Sequence, residues 1–264
     1  MRENRLRSLW KDDRAAINGW LAIPSGFAAE VMAHQGYDSL TVDLQHGVID
    51  YQTMVAMLQA ISTTPVVPIV RVPWLDAGAL MKALDAGAYG VICPMINTRA
   101  DCEAFVGACR YAPKGYRSFG PVRATWYGGA DYFKHANDTI VTMAMIETKQ
   151  AMDNLDDILS VPGLDGLYIG PNDLAITLGC APSGTPTDPI VLDAIRTILA
   201  GAKKHGIRAG LHCGSAAMAK EMIALGFQFT TIMGDNALLN TAARAAIAEV
   251  RTGAAAAVKP GGSY

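Results

Sequence analysis

The sequence predicts a (β/α)8 barrel built as one domain, and three observations carry that expectation. Eight short apolar runs recur along the 264 residues, and a helical pattern follows each of them. The runs are continuous rather than alternating, which suits parallel strands covered on both faces. Gly36, Gly87, Gly206 and Gly226 each close a helical pattern shortly before the next run, where a left-handed residue is needed. The length suits a single barrel of about 250 residues. A doubly wound open sheet is the alternative, but no G-x-G-x-x-G follows the first run.

The first strand is expected over 17–23, through Trp20, and a helix over 27–34. The second strand, 39–43, ends in Asp43 and leads past His46 to a helix at 51–61. Strand three, 66–71, is apolar until Arg71, with a helix at 77–86 behind it. Strand four, 89–94, ends at Pro94 before a helix at 99–110. Strand five, 140–147, ends in Glu147 and precedes a helix at 150–159. Strand six, 166–170, runs into Pro171, Asn172 and Asp173, and a long helix follows at 189–205. Strand seven, 207–212, ends in His212 ahead of a helix at 215–225. Strand eight, 229–233, leads through Asp235 to the last helix at 236–250.

Two connections stand out. Residues 112–137 combine Gly and Pro with Tyr116, Trp126, Tyr127, Arg117 and Arg123, and are too long for a plain connector. They are a candidate lid or subunit contact. Residues 179–188 form a shorter loop after Asp173, expected to lie over the same face. The barrel domain is assigned to 1–252, and 253–264 is expected to be a flexible C-terminal tail.

Composition narrows the function classes. With 51% hydrophobic and 17% charged residues, the chain has material for a large core. A net charge of −2 offers no basic field for nucleic acid or an anionic membrane. No apolar run reaches the roughly 18 residues of a membrane helix. Residues 1–14 alternate charges and lack the apolar core of a secretory signal. Five cysteines without C-x-x-C spacing argue against both a disulfide framework and a zinc site, and Cys102 and Cys109 read as buried thiols. A cytoplasmic location is expected.

The chemistry is concentrated at strand ends, where such barrels carry their sites. An ionised carboxylate beside an apolar strand requires a partner, and Glu147 and Asp173 end two neighbouring runs. A hard divalent cation pairs with both, substrate and water oxygens completing its shell as Mg2+ prefers and Mn2+ accepts. The competing reading pairs each acid with a local Lys or Arg, or makes it a helix cap. His46 is a candidate general base with Asp43 three residues earlier, or simply a surface histidine. Arg71 requires an anion, met either by a substrate carboxylate or oxyanion or by a structural bridge to Asp43 or Glu147. His212 ends strand seven at the same rim and remains ambiguous, whereas His34 and His205 sit late in helices.

The segments Thr41-Val-Asp-Leu-Gln-His46-Gly, Val70-Arg71-Val, Met145-Ile-Glu147-Thr, Ala151-Met-Asp-Asn-Leu-Asp156 and Gly166-Leu-Tyr-Ile-Gly-Pro-Asn-Asp173-Leu resemble the HpcH/HpaI aldolase family. The resemblance runs from about Trp20 to the final helix. It implies a TIM barrel of the phosphoenolpyruvate/pyruvate type whose last helix is swapped between subunits of a homohexamer, a trimer of dimers. It implies a divalent metal, Mg2+ or Mn2+ with Co2+ as a further candidate, on Glu147 and Asp173. His46 supported by Asp43 would be the base and Arg71 would hold the keto acid. Trp20, Gly170, Pro171, Asn172 and Asp173 would line the substrate, and Asp85 would be lent to the neighbouring subunit's site.

The implied activity is reversible aldol cleavage and addition between pyruvate or hydroxypyruvate and an aldehyde. Two alternatives remain within the fold: an oxaloacetate decarboxylase, or a citrate-lyase-β-like lyase, although no basic strip for CoA stands out. Outside catalysis, the alternative is an idle keto-acid-binding barrel. One branch of the family has Glu and Gln where this chain has Gln45 and Met145. Trp74 and Leu75 are expected to make the wall beside Arg71 apolar.

Overall fold

In the computed structural model, eight parallel strands close on themselves in chain order. They are β1 (Ala16–Leu21), β2 (Ser39–Asp43), β3 (Val67–Arg71), β4 (Gly90–Cys93), β5 (Val141–Met145), β6 (Gly166–Ile169), β7 (Arg208–Cys213) and β8 (Phe229–Gly234). The structure describes residues 1–252, so the expected tail at 253–264 lies outside the described residues. All eight expected strands are present. Five of them (β2 to β6) are buried along their whole length, which is why they read as unbroken apolar runs.

Helix α1 (Arg5–Lys11) precedes the barrel, and α2 (Gly26–Ala33), α3 (Tyr51–Ile61), α4 (Ala77–Asp85) and α5 (Arg99–Cys109) follow the first four strands. Helices α6 (Val122–Gly128) and α7 (Tyr132–Thr139) precede β5, while α8 (Lys149–Asp153) and α9 (Leu155–Leu159) come after it. Helices α10 (Pro171–Thr177) and α11 (Pro189–His205) follow β6, α12 (Ala216–Leu225) follows β7, and α13 (Asp235–Thr252) follows β8.

The helix starts share one device. The side chains of Ser25, Asp50, Asp76, Thr98, Thr148 and Ser215 each accept a hydrogen bond from the N–H three residues on. Each such cap contributes about 1 kcal/mol, and together they fix the exits of the loops that leave the strand ends. Gly206 and Gly226 end α11 and α12 with φ of 68° and 110°, as the sequence pattern requires.

Three expectations need correction. Helix α1 has no counterpart in the sequence reading, because seven charged and apolar residues carry little periodicity; it is held by Leu6, Leu9 and Trp10 packed into the core. The single helix expected at 150–159 is two, broken at Asn154, whose side-chain amide donates to the Asn97 carbonyl at 2.9 Å. Residues 112–137 do not cover the site. They join the end of α5 to the start of β5, and so leave from the barrel face opposite the strand ends that carry the site. There Arg117 reaches Asp85 at 2.6 Å and Arg123 donates to the Ala86 carbonyl at 2.6 Å, pinning the segment to the end of α4.

Strand register fixes which functional side chains become neighbours. Asp43 lies opposite Arg71 across β2 and β3, Met145 opposite Tyr168 across β5 and β6, and His212 opposite Thr231 across β7 and β8. Residues far apart in the chain thus meet at one rim.

Candidate active site

A cavity of about 420 Å³ opens at the C-terminal ends of the strands, with every strand except β4 contributing to its wall. Trp20, Asp43, His46, Arg71, Glu147, Gly170, Pro171, Asn172 and Asp173, all expected from sequence, line it together. Residues 182–185 cover one side, as the loop after Asp173 was expected to do. Asp85 is not in this cavity; burial raises its carboxyl above the ordinary value even though Arg117 pairs with it. Trp74 and Leu75 are absent from the wall, and Trp74 is 56% exposed. The loop after β3 turns them away, and the apolar part of the wall comes instead from residues that include Met145, Met233 and Ala22.

Asp43 and Arg71 form a buried ion pair, 2% and 5% exposed. The guanidinium donates through Nε to Oδ1 at 2.8 Å and through Nη2 to Oδ2 at 2.6 Å, a two-pronged fit that follows from the strand register. Asp43 also accepts from Trp20 Nε1 at 3.1 Å and from the backbone N–H groups of Gln45 and His46 at 3.0 and 3.3 Å. Its recorded hold on His46 is therefore through the backbone of the turn that presents the imidazole. Burial alone would raise the Asp43 carboxyl, but the hydrogen bond and charge of Arg71 outweigh it and hold the group below the ordinary range. The Arg71 guanidinium sits 4.7 Å from the Trp20 ring centre. The structural bridge weighed for Arg71 exists, and it also fixes the guanidinium at the cavity wall.

Glu147 is 2% exposed, and one backbone donor is recorded for its carboxylate: Met95 N–H, at 2.9 Å to Oε1. Met95 has φ of 57°, an unfavourable backbone for a residue with a side chain, which points to a constraint at this spot. Burial pushes the Glu147 carboxyl up to about 7, and the nearby Asp173 charge adds to the rise. The helix-cap readings fail: Thr148 caps α8 with its own hydroxyl, and α10 starts at Gly170 without a side-chain cap. Asp173 instead occupies the first turn of α10, aimed at the same cavity.

Two like-charged carboxylates, one of them deeply buried with a single recorded donor, suit an oxygen-preferring divalent cation. Among the described residues no group of three or more His, Cys, Asp or Glu side chains could hold a metal ion. Glu147 and Asp173 form a pair of acids, and a cation held there would have room for substrate oxygens and water. Gly170 is required by this arrangement, because a Cβ there would lie 2.4 Å from Glu147 Oε2. Gly170→Ala is expected to leave the fold intact, since the carboxylate end of Glu147 can yield. The displaced carboxylate should lower activity by about 10²-fold, read by kcat/KM beside an unchanged thermal midpoint.

Sequence reasoning missed Tyr168 and left His212 open. Tyr168 lies under Trp20, with ring centres 5.6 Å apart, and its hydroxyl meets His212 Nδ1 at 3.1 Å and Thr231 Oγ1 at 2.6 Å. The available signal was a tyrosine in a buried strand, whose hydroxyl requires a partner. Burial, with the Arg71 charge adding to it, pushes His212 down to about 4, so its ring is neutral at pH 7.

Known proteins resemble this chain along nearly its whole length. Residues 19–242 match the family HpcH/HpaI aldolase/citrate lyase. The hydroxypyruvate/pyruvate aldolase of Rhizorhabdus wittichii is 44% identical, over 94% of this chain and 99% of that protein. The 4-hydroxy-2-oxo-heptane-1,7-dioate aldolase of Escherichia coli is 37% identical, over 98% of this chain and 99% of its own. The crystal structure of an HpcH/HpaI aldolase/citrate lyase family protein from Burkholderia cenocepacia superposes with a TM-score of 0.88 at 34% identity, covering 94% and 100% of the two chains.

Proposed function

The chain belongs to the HpcH/HpaI aldolase/citrate lyase family of metal-dependent carbon–carbon lyases, and we propose that it is a pyruvate or hydroxypyruvate aldolase whose chemistry rests on Glu147, Asp173, Arg71 and His46. Its substrates are a small keto acid and an aldehyde. The observation that carries the site assignment is the buried Glu147 carboxylate facing Asp173 across a cavity that also holds a fixed arginine.

Glu147 and Asp173 would hold the divalent cation, Mg2+ or Mn2+ with Co2+ also suited to oxygen donors. When bound, such a cation acts as a Lewis acid that lowers the cost of removing a proton next to the keto group. Arg71, held rigid by Asp43, donates to the keto oxygen as negative charge develops on it. Fixed donors of that kind are worth about 10²–10³ in rate each. His46, on the turn tethered by Asp43, takes the C3 proton and returns it in the reverse direction. Trp20, Gly170, Pro171 and Asn172 shape the pocket around the keto acid. The enolate carbon then attacks the aldehyde carbonyl, the protonated His46 supplies the proton taken up by the new alkoxide, and cleavage is the same path reversed.

The deciding experiment is deuterium exchange into the methyl group of pyruvate without an aldehyde. The metal-loaded protein should exchange, EDTA should stop exchange, and Mg2+ or Mn2+ should restore it. Exchange indifferent to EDTA, or trapping of substrate by borohydride, would instead indicate a lysine Schiff base.

A homo-oligomer, as a hexamer with swapped last helices, is also proposed. Its support is the exposure of Leu239, Ile247 and Val250 on α13 and of Phe119, Val122 and Trp126 in the segment before β5. Asp85 would serve a neighbouring subunit in such an assembly. Among the described residues no helix is long and apolar enough to cross a membrane, and all five cysteines are free thiols, which supports a cytoplasmic placement.

A further inference from the structure

A chain of polar side chains crosses the barrel interior beneath the cavity, and nothing in the proposed reaction uses it. Ser39 and Thr41 hydroxyls donate to Asn18 Oδ1 at 2.8 and 3.1 Å. With its oxygen so occupied, the Asn18 amide turns its NH2 to Thr231 Oγ1 at 3.0 Å. Thr231 Oγ1 and the Tyr168 hydroxyl are 2.6 Å apart, and the Tyr168 hydroxyl is 3.1 Å from His212 Nδ1. Asn18, Tyr168 and Thr231 are buried and belong to β1, β6 and β8, so these bonds run inside the barrel, out of reach of bulk solvent.

Among the described residues the Tyr168 oxygen is the one recorded acceptor for the Thr231 proton, and His212 Nδ1 is then the one for the Tyr168 proton, which gives the chain a direction. Thr231 accepts from Asn18 and passes its own proton toward Tyr168. Tyr168 passes its proton to His212. Nδ1 is then an acceptor, and in a neutral ring the remaining proton sits on Nε2. Among the described residues no hydrogen bond is recorded for Nε2, while His212 forms part of the cavity wall with its ring edge-on to Trp20 at 5.1 Å.

From this directed chain we infer that His212 is a specificity-determining residue, whose Nε2–H donates to a neutral oxygen of the substrate. The inference rests on the aldolase reading of the same site and names what that site recognises. Two oxygens have this chemistry: the C3 hydroxyl of a hydroxylated keto acid, and the carbonyl or hydroxyl oxygen of the aldehyde. The neutral ring fits either one, because a second cation beside Arg71 would be unfavourable. Tyr168 is a positioning residue, acting through His212.

Solid-state nitrogen NMR of protein labelled with [15N]histidine reads the tautomer directly, with His212 assigned by the signal lost in His212→Gln. The expected spectrum has the proton on Nε2, and Tyr168→Phe should release the ring into a mixture of tautomers. A proton on Nδ1 in the parent protein overturns the inference. The oxygen is then identified with His212→Leu and His212→Gln, the latter keeping an N–H near the Nε2 position. In aldehyde-free exchange, a fall of about 10-fold in the preference for hydroxypyruvate over pyruvate in His212→Leu, restored in His212→Gln, assigns the donor hydroxyl. A rise of about 10-fold in the KM of the aldehyde, with that preference unchanged, assigns the aldehyde oxygen. If neither moves, His212 reads no substrate oxygen and the inference fails. Absence of exchange with both acids in the parent protein would instead remove the aldolase reading, an outcome the tautomer spectrum does not depend on.

Discussion

Glu147→Gln is expected to reduce C3 exchange and aldol turnover by about 10³-fold, the loss of several kcal/mol of charge stabilisation in the transition state. The same substitution should stabilise the cation-free protein at alkaline pH. Burial lifts the folded-state Glu147 carboxyl to about 7, above the unfolded value of 4.5. A carboxyl raised in this way contributes its stability fully below the unfolded value, and that contribution is lost as pH rises through the folded one. Above pH 7 the chelated parent protein therefore holds an ionised, buried carboxylate at a cost of about 3 kcal/mol. Gln is neutral and removes that cost. Thermal melts in EDTA at pH 8 should show the variant more stable than the parent, with the difference vanishing near pH 4. Added Mn2+ should raise the midpoint of the parent only. Loss of activity together with loss of stability in EDTA would mean that Glu147 is a structural residue.

The second large effect is on the Asp43–Arg71 pair. Asp43→Asn leaves a guanidinium that is 5% exposed without its counter-charge, which is expected to cost about 3–5 kcal/mol. Denaturant midpoints should fall with the slope unchanged. The linkage has the opposite sign to that of Glu147. Because Arg71 holds the Asp43 carboxyl below its ordinary value, its stability contribution is present above the unfolded value and disappears as pH falls through the folded one. The parent should therefore lose stability in strong acid more steeply than Asp43→Asn. Arg71→Lys keeps the charge but loses the two-pronged fit that aims it. It should fold, with kcat reduced about 10²-fold. Equal activity in the lysine variant would show that charge alone, without direction, is what the site requires.

The fold was readable in the sequence because most strands are buried on both faces and most of the longer helices open or close with a recognisable cap. Ser25, Asp50 and Asp76 mark starts, and Gly206 and Gly226 mark ends. The acids and Arg71 were readable for a related reason. A charge at the end of an apolar run is costly unless it has a partner, so it draws attention from composition alone. Residues whose role depends on cross-strand register were less readable. Tyr168 resembles an ordinary core aromatic until β6 is set beside β7, and only then does its hydroxyl reach His212. Of the two readings of 112–137, lid or subunit contact, the lid fails, because loop composition does not reveal which end of a barrel a connection serves. Asp43 was assigned to His46 from a three-residue spacing, whereas the parallel register gives its carboxylate oxygens to Arg71 on the next strand.

The central claim is that Glu147 and Asp173 together hold one divalent cation, and Mn2+ titration followed by electron paramagnetic resonance tests it most directly. The parent protein should bind one Mn2+ per chain, Arg71→Lys should bind it equally well, and Glu147→Gln and Asp173→Asn should each lose it. Binding of Mn2+ to both carboxylate variants with the affinity of the parent would contradict the claim.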